Sequence, residues 1–320
     1  MSETNTSVPP RIFEHATRKD WGRSVLLQEI PDKRTFLFED GTERSFRPDY
    51  WHKMEIVDVH PSEAVRIDRL ARRNQTPTAG SARKSKAPLK KPDITFAQQV
   101  AYFMQLHPVG FEDEGYIKSE RGERGAKGAE KLKNAAIERA EEKLNQKHLE
   151  ELMAAGSYDE IHQLVYEFLT STKGTTQKAE ATRFKNMPKE ARETFATALV
   201  DLLYGERPFG IRFDSFAAAT VIEGGATWPL ATLLPALVYP ADHVFVKPTF
   251  FKKQALILDI DPKYDTTPNS ATYEQFLQAA RRAMELLQEA GQRPRDLWDV
   301  HTFICKTLSP KAIKEATGKA

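Results

Sequence analysis

The sequence predicts an α+β protein of more than one domain, with a small β-barrel at the N-terminus and a larger, mostly α-helical domain after it. At 320 residues the chain is longer than one typical domain. Strand-like alternation dominates before residue 60, and apolar residues recur at helical spacing after residue 94. We expect a disordered N-terminus over 1–10, the barrel over 11–60, a basic flexible linker over 61–93, the helical domain over 94–310 and a C-terminal tail over 311–320.

The barrel is predicted from short strands and one strong turn. Phe36 and Phe38 alternate on one face of a strand. The dipeptide Asp40-Gly41 predicts a type I′ hairpin, which needs positive φ at both central residues. So few short strands cannot form a sandwich, but they can close into a small SH3-like barrel and leave no exposed edge. The predicted strands are Arg11–His15, Arg23–Ile30, Arg34–Glu39, Glu43–Phe46 and Met54–Val59.

The same residues carry a resemblance. The runs Ile12-Phe13-Glu14-His15, Trp21-Gly22-Arg23-Ser24-Val25 and Phe36-Leu37-Phe38-Glu39-Asp40-Gly41 resemble the small tudor/SH3-like modules of bacterial nucleic-acid machinery. Two such modules are the C-terminal module of UvrD/PcrA-type helicases and the polymerase-interacting module of CarD-type regulators. Ser24 departs from the pattern, since glycine often stands there. The resemblance implies RNA polymerase or an associated helicase as the first partner to test.

Aromatic side chains are the candidate partner-binding residues of the barrel: Trp21, Tyr50 and Trp51. Trp and Tyr are enriched at binding hot spots. A core position is favoured for Trp21 in so small a barrel, whereas Tyr50 and Trp51 could equally pack or bind a partner. Because Tyr50 and Trp51 are adjacent and follow a turn at Pro48-Asp49, at least one of them should be exposed.

Residues 61–95 hold an excess of positive charge. Nine Lys/Arg face three acids there, a net +6 in a chain whose total is +2. A short helix is expected over Glu63–Arg73, and Asn74–Lys91 is too polar to order itself. The basic residues could neutralise DNA or RNA phosphates, although a solvated spacer is an equal alternative. The candidate nucleic-acid ligands are Arg66, Arg69, Arg72, Arg73, Arg83, Lys84 and Lys86.

Beyond residue 94, helical periodicity prevails, with a glycine-punctuated stretch over Phe111–Gly128. This region resembles an uncharacterised bacterial two-domain family that has a barrel-like N-terminus. Four segments carry the likeness: Gly122–Lys127, Trp228–Thr232, His243–Pro248 and Asp296–Ile304. The likeness supports the two-part architecture and implies no activity. The predicted helices are Ala97–Leu106, Ala129–Ala155, Tyr158–Thr170, Pro188–Leu203, Trp228–Val238, Thr272–Ala290 and Asp296–Thr307.

Three groups in this region could carry chemistry, each with a simpler interpretation. Gly122, Gly125 and Gly128, with Arg121, Arg124 and Lys127, could hold a phosphate, or form a flexible lead to a helix. Asp259, Asp261 and Asp265, beside a possible strand at Gln254–Leu258 and Lys253, could bind a metal, or form turns. The pairs His243/Lys247 and Asp299/His301 could supply acid/base or phosphate contacts, but neither comes with a recognisable nucleophile. Cys305 fits a buried, inert thiol near His301.

The composition limits the class of protein. Cys305 is the single cysteine, so an intrachain disulfide or a cysteine-based zinc site is impossible and a reducing cytoplasm is expected. The apolar run Trp228–Pro240 is shorter than the roughly 20 residues that span a bilayer. Met1–Pro10 lacks a signal-peptide pattern. We expect no cofactor and no membrane, and a non-enzymatic bacterial adaptor that docks through its barrel onto a nucleic-acid-processing or transcription complex. The alternative is a metal-dependent nuclease or another phosphate-binding enzyme of the helical domain.

Overall fold

The computed structural model describes residues 10–30, 32–74, 90–122 and 127–318. The chain forms two compact units. Unit 1 contains the described residues of 1–86 and 193–221, and unit 2 those of 87–192 and 222–320. The helices are α1 (Pro61–Asn74), α2 (Phe96–Leu106), α3 (Glu114–Tyr116), α4 (Lys133–Lys143), α5 (Gln146–Ala154), α6 (Tyr158–Ser171), α7 (Lys178–Lys185), α8 (Lys189–Tyr204), α9 (Phe209–Ala219), α10 (Trp228–Val238), α11 (Pro248–Ile257), α12 (Ser270–Glu289), α13 (Leu297–Thr307) and α14 (Pro310–Thr317).

Unit 1 is built on a five-stranded antiparallel sheet that follows the predicted strands closely. Its strand order is β4-β3-β2-β1-β5, so β4 and β5 are the two edges. The 3₁₀ helix Pro48–Lys53 joins β4 to β5, which pairs with β1 rather than with β4. The α+β class is therefore confirmed, but the closed barrel is not formed. The strands are β1 (Ile12–His15), β2 (Arg23–Ile30), β3 (Lys33–Phe38), β4 (Glu43–Phe46) and β5 (Met54–Val57).

Each face of this sheet carries its own apolar cluster. Alternate residues of a strand point to opposite sides, so neighbouring residues belong to different clusters. Phe36 and Phe38 pack with Phe13 and Met54 on one face. Leu37 lies on the other face, in a second cluster. That second cluster also contains Ile12, Val25, Ala64, Ile67 and Ala71.

Helix α1 forms where the short linker helix was predicted, but it belongs to unit 1 rather than to a flexible linker. Ala64, Ile67, Leu70 and Ala71 recur every three or four residues, and all are buried. The folded unit thus extends past residue 60, because these side chains complete a core that the sheet alone leaves open. Most of the predicted disordered stretch, residues 75–89, lies outside the described residues.

Residues 193–221 also join unit 1, although the prediction assigned them to the helical domain. They comprise the later part of α8 and all of α9. Long-range polar contacts hold them: Arg207 and Ser215 both donate to the carboxylate of Glu39, at 3.0 and 3.2 Å. Such contacts have no signature in local sequence.

The hairpin at Asp40-Gly41 is present, but its turn type differs from the prediction. Gly41 has φ of 80°, whereas Asp40 is not among the positive-φ residues. The N–H of Gly41 donates to Phe38 O and that of Phe38 to Thr42 O. This is the pattern of a three-residue loop that ends in a left-handed glycine. The Asp40 side chain instead accepts from Thr42 N at 2.9 Å, which stabilises the loop.

Three predictions for the region after residue 94 need correction. The long helix over Ala129–Ala155 is broken between α4 and α5, because the Asn145 side chain caps α5 by accepting from His148 N. The possible strand at Gln254–Leu258 lies in and just after α11. The predicted tail is largely α14, whose first turn Ser309 caps through Ala312 N.

Candidate functional site

A cavity in unit 2 brings together four lysines from separate elements. Lys133 begins α4, Lys173 follows α6, Lys247 precedes α11 and Lys306 lies near the end of α13. The cavity measures about 220 Å³, and we call it the lysine cavity. It is lined by Glu120, Lys133, Lys173, Gly174, Thr175, Lys247, Trp298, His301, Thr302, Cys305 and Lys306.

The charge of this lining is strongly unbalanced. Against the four lysines stands a single carboxylate, that of Glu120. Its two oxygens accept separately, from Lys133 Nζ at 2.7 Å and from Lys306 Nζ at 2.9 Å. Within the described part of the chain, Lys173 and Lys247 have no carboxylate within 4 Å. The cavity therefore carries a net charge of about +3.

Two residues of the cavity lining, Glu120 and Lys133, are buried enough for their pKa values to change. Burial raises the pKa of Glu120, but the ammonium groups of Lys133 and Lys306 outweigh burial and hold that pKa below its usual value. Lys133 is only 8% exposed, and this burial lowers its pKa in spite of Glu120. The pair stays ionised because each group supplies the charge that the other needs.

Glu120 is positioned by a buried polar network next to it in the chain. It lies in a π-helical turn, Ile117–Arg121, that follows α3. The Arg121 guanidinium donates to both oxygens of Asp296, at 2.9 and 2.7 Å. Tyr116 OH donates to Asp299 at 2.7 Å. Because these partners are buried and lie at the start of α13, they fix the turn against the helix that carries Lys306.

His301 and Cys305 lie on one side of the cavity, one helical turn apart on α13. His301 Nδ1 lies 2.8 Å from Phe245 O, so this nitrogen donates. Nε2 is then free to accept from the Cys305 thiol, 3.4 Å away. The geometry resembles that of a nucleophile beside a base.

The electrostatics of this pair argue against a nucleophile. Burial, together with the positive charges of Lys247 and Lys133, lowers the pKa of His301 to about 3. Burial raises the pKa of the Cys305 thiol to about 12. Both groups are therefore neutral near pH 7, whereas a reactive cysteine requires the thiolate. The cavity is consequently equipped for binding an anion rather than for covalent chemistry.

The predicted phosphate loop is not assembled as expected. Arg121 is buried and committed to Asp296. Residues 123–126, which include Arg124 and Gly125, lie outside the described residues. Gly122 has φ of 89°, and a Cβ there would lie 3.1 Å from the Leu132 side chain, so this glycine serves close packing.

The predicted metal-binding carboxylates form turn contacts instead. Asp259 is 84% exposed and pairs with Lys91 at 2.6 Å. Asp261 accepts from Lys263 N, and Asp265 accepts from Thr267 N. Lys253 donates to Leu308 O. Among the described residues, no three His, Cys, Asp or Glu side chains are grouped to hold a metal ion.

The three candidate aromatics of unit 1 differ in exposure. Trp21 is half-buried on Phe38, and the guanidinium groups of Arg18 and Arg44 lie 4.8 and 4.6 Å from the centre of its ring. Trp51 is half-buried as well, donating to Phe46 O at 3.0 Å. Tyr50 is 51% exposed. The expectation that one of the adjacent pair is exposed is confirmed for Tyr50.

Among the predicted nucleic-acid ligands, the structure describes the side chain of Arg66. It is 7% exposed and contacts Glu63 at 3.2 Å, so it is not a free surface cation. The reason is its place on α1, whose buried face it extends. The side chains of Arg69, Arg72 and Arg73 lie outside the described set, as do Arg83, Lys84 and Lys86.

Arg66 lines a second cavity, in unit 1, that differs from the lysine cavity in its charge. Arg23, Arg66 and Arg207 face Glu63, Glu193 and Asp201 across it. Arg23 pairs with Glu63, and Arg207 donates to Asp201 at 2.6 Å. We call it the balanced cavity.

Sequence reasoning missed most of the lysine cavity. The sequence singled out Lys247 and His301 for acid/base or phosphate contacts and Cys305 as an inert thiol. It did not select Glu120, Lys133, Lys173 or Lys306. These residues are spread over almost two hundred positions, and no spacing rule connects them. The signal that joins them is tertiary contact around α13.

Comparisons with known proteins add no relative. No family model matches the chain, and no curated protein or solved structure shows significant similarity to it. In the described part of the chain, none of the helices has both the length and the apolar character needed to cross a membrane.

Proposed function

We propose that unit 2 binds a phosphate-bearing ligand in the lysine cavity. The observation that carries this proposal is the excess of four ammonium groups over one carboxylate around a single cavity. Unpaired like charges repel, so such a lining is unfavourable until an anion enters. A structural ion-pair cluster would be close to neutral.

Several features favour phosphate as the anion. Lysine is a point-charge phosphate ligand, and four lysines around one cavity suit an anion that carries more than one negative charge. Gly174 and Thr175 follow Lys173 in the chain and line the same cavity. The phosphate-binding alternative from the sequence is thus supported by Lys247, which the sequence named, together with three lysines that it did not select.

Isothermal titration calorimetry with inorganic phosphate and pyrophosphate tests the proposal in a phosphate-free buffer. Lys173→Gln combined with Lys247→Gln should weaken binding by at least about tenfold, because two charge-assisted contacts are lost. Lys147→Gln is the matched control, since its side chain is 87% exposed on α5. Equal dissociation constants for the wild type and the double variant would contradict the proposal.

A second proposal concerns unit 1, which we propose to be an SH3/tudor-like module that docks onto a nucleic-acid-processing or transcription complex. The meander order and the 3₁₀ helix before the last strand support the SH3-like assignment. Tyr50 supplies an exposed aromatic for a partner. The sequence resemblance makes RNA polymerase or an associated helicase the first partner to test. Basic residues after 61, other than the buried Arg66, would contact nucleic acid in an adaptor of the bacterial cytoplasm.

A further inference from the structure

The chemical form of the phosphate follows from how the lysine cavity is built. Its positive groups come from four separate elements rather than from one helix face. Ammonium groups arranged in this way suit a group with several free oxygens pointing in different directions. A terminal phosphate has three such oxygens, and a phosphodiester in a chain has two.

One side of the cavity is closed by protein. Trp298, His301 and Thr302 line it, and all three are buried on α13. Trp298 stacks on Phe245 and donates to Ala236 O at 2.8 Å, so it is held in place. A nucleic-acid backbone would have to continue out of the cavity on two sides, whereas a terminal group needs only one opening.

The net positive charge of the cavity also favours a terminal phosphate over a phosphodiester. With one carboxylate against four lysines, the attraction grows with each negative charge on the ligand. A phosphomonoester carries up to two negative charges, and its second proton dissociates near pH 6. A phosphodiester carries one.

We infer that the lysine cavity binds the terminal dianionic phosphate of a monoester or pyrophosphate and discriminates against phosphodiesters. This inference rests on the proposed phosphate-binding function. It assigns the cavity to phosphorylated small molecules or to phosphorylated nucleic-acid ends, and not to the nucleic-acid backbone.

Calorimetry on the full chain with methyl phosphate and dimethyl phosphate tests the inference at pH 8. Methyl phosphate should bind at least about tenfold more tightly, since it carries one more charge in a net positive site. Its affinity should fall between pH 7 and pH 5 as the dianion takes up a proton. Sulfate, a dianion over this range, should show little change, which controls for titration of the protein.

The protein groups that face the ligand are Glu120, the lysines, His301 and Cys305. His301 and Cys305 have pKa values of about 3 and about 12, so neither titrates between pH 5 and pH 8. A pH dependence shared by sulfate and methyl phosphate would therefore overturn the assignment to the ligand's second proton.

The outcomes distinguish a failure of the discrimination between phosphate esters from a failure of phosphate binding itself. If both methyl esters bind equally at pH 8 and both are weakened by Lys173→Gln with Lys247→Gln, phosphate binding stands and the discrimination is refuted. If neither they nor pyrophosphate binds, the proposed function itself fails. If methyl phosphate binds as expected, a further titration identifies the source of the terminal phosphate. It compares 5′-phosphorylated pentathymidylate with its 5′-hydroxyl form and with glycerol 3-phosphate.

Discussion

Two cavities of this protein show how charge balance separates a structural cluster from a ligand site. In unit 1, three arginines face three carboxylates around the balanced cavity. In unit 2, four lysines face one carboxylate. Both contain partly buried ions, so burial alone does not distinguish them. The unbalanced cavity is the one that an added anion would stabilise.

The residue types differ for a physical reason. Arginine offers several donors in a rigid fork and can serve two carboxylates, as Arg207 does with Glu39 and Asp201. Lysine is a flexible point charge that can turn towards a mobile ligand. The ion pairs around the balanced cavity therefore connect α1, α8 and the sheet of unit 1. The ammonium groups of Lys173 and Lys247 line the lysine cavity and can bind an anionic ligand there.

The largest expected effect would come from breaking the balance in unit 1. Arg207→Met removes the guanidinium that pairs with Glu39, whose side chain is 1% exposed, and leaves its contacts with Arg23 N and Ser215 Oγ. We expect the free energy of unfolding of unit 1 to fall by about 3 kcal/mol, because removing one member of a buried ion pair is strongly destabilising. Hydrogen exchange of unit 1 peptides measures the change. Adding Glu39→Gln to Arg207→Met should restore most of the lost free energy of unfolding. A loss below about 1 kcal/mol in Arg207→Met alone would contradict a structural role for Arg207.

A smaller effect of opposite sign is expected in unit 2. Lys173→Gln should raise the free energy of unfolding of the ligand-free protein by roughly 0.5 kcal/mol, because it removes one repelling charge from an exposed position. Hydrogen exchange of unit 2 peptides at low salt measures this gain, which should shrink in 0.5 M salt as screening increases, roughly as the Debye length falls. Destabilisation by Lys173→Gln, with no change in Lys147→Gln, would mean that Lys173 is a structural residue.

The smallest expected effect on stability concerns the exposed aromatic of unit 1. Tyr50→Ala should change the free energy of unfolding by less than about 0.5 kcal/mol, since the side chain is half exposed. Recovery of RNA polymerase from a bacterial lysate by the full-length chain should nevertheless be lost. Leu106→Ala, at an exposed apolar residue of unit 2, is the control. Equal recovery by the wild type and both variants would remove Tyr50 from the docking proposal.

Local structure could be predicted because its causes are local. The alternation of Phe36 and Phe38 and the glycine of Asp40-Gly41 were sufficient to position β3 and its hairpin. The periodic apolar residues of α6 and α13 gave those helices nearly their true bounds. Periodicity alone predicted one helix over Ala129–Ala155, because it does not detect the side-chain cap by which Asn145 begins α5.

Assembly could not be predicted in this way. The sequence by itself determined the α+β class, five strands, most helices and the exposure of one of two adjacent aromatics. Only the tertiary structure decided that residues 193–221 join the sheet and that Arg66 is buried. It alone brought Lys133, Lys173, Lys247 and Lys306 around one cavity. The reason is that backbone periodicity reports which face of an element is apolar, whereas the neighbour of a charged side chain is set by packing between elements far apart in the chain.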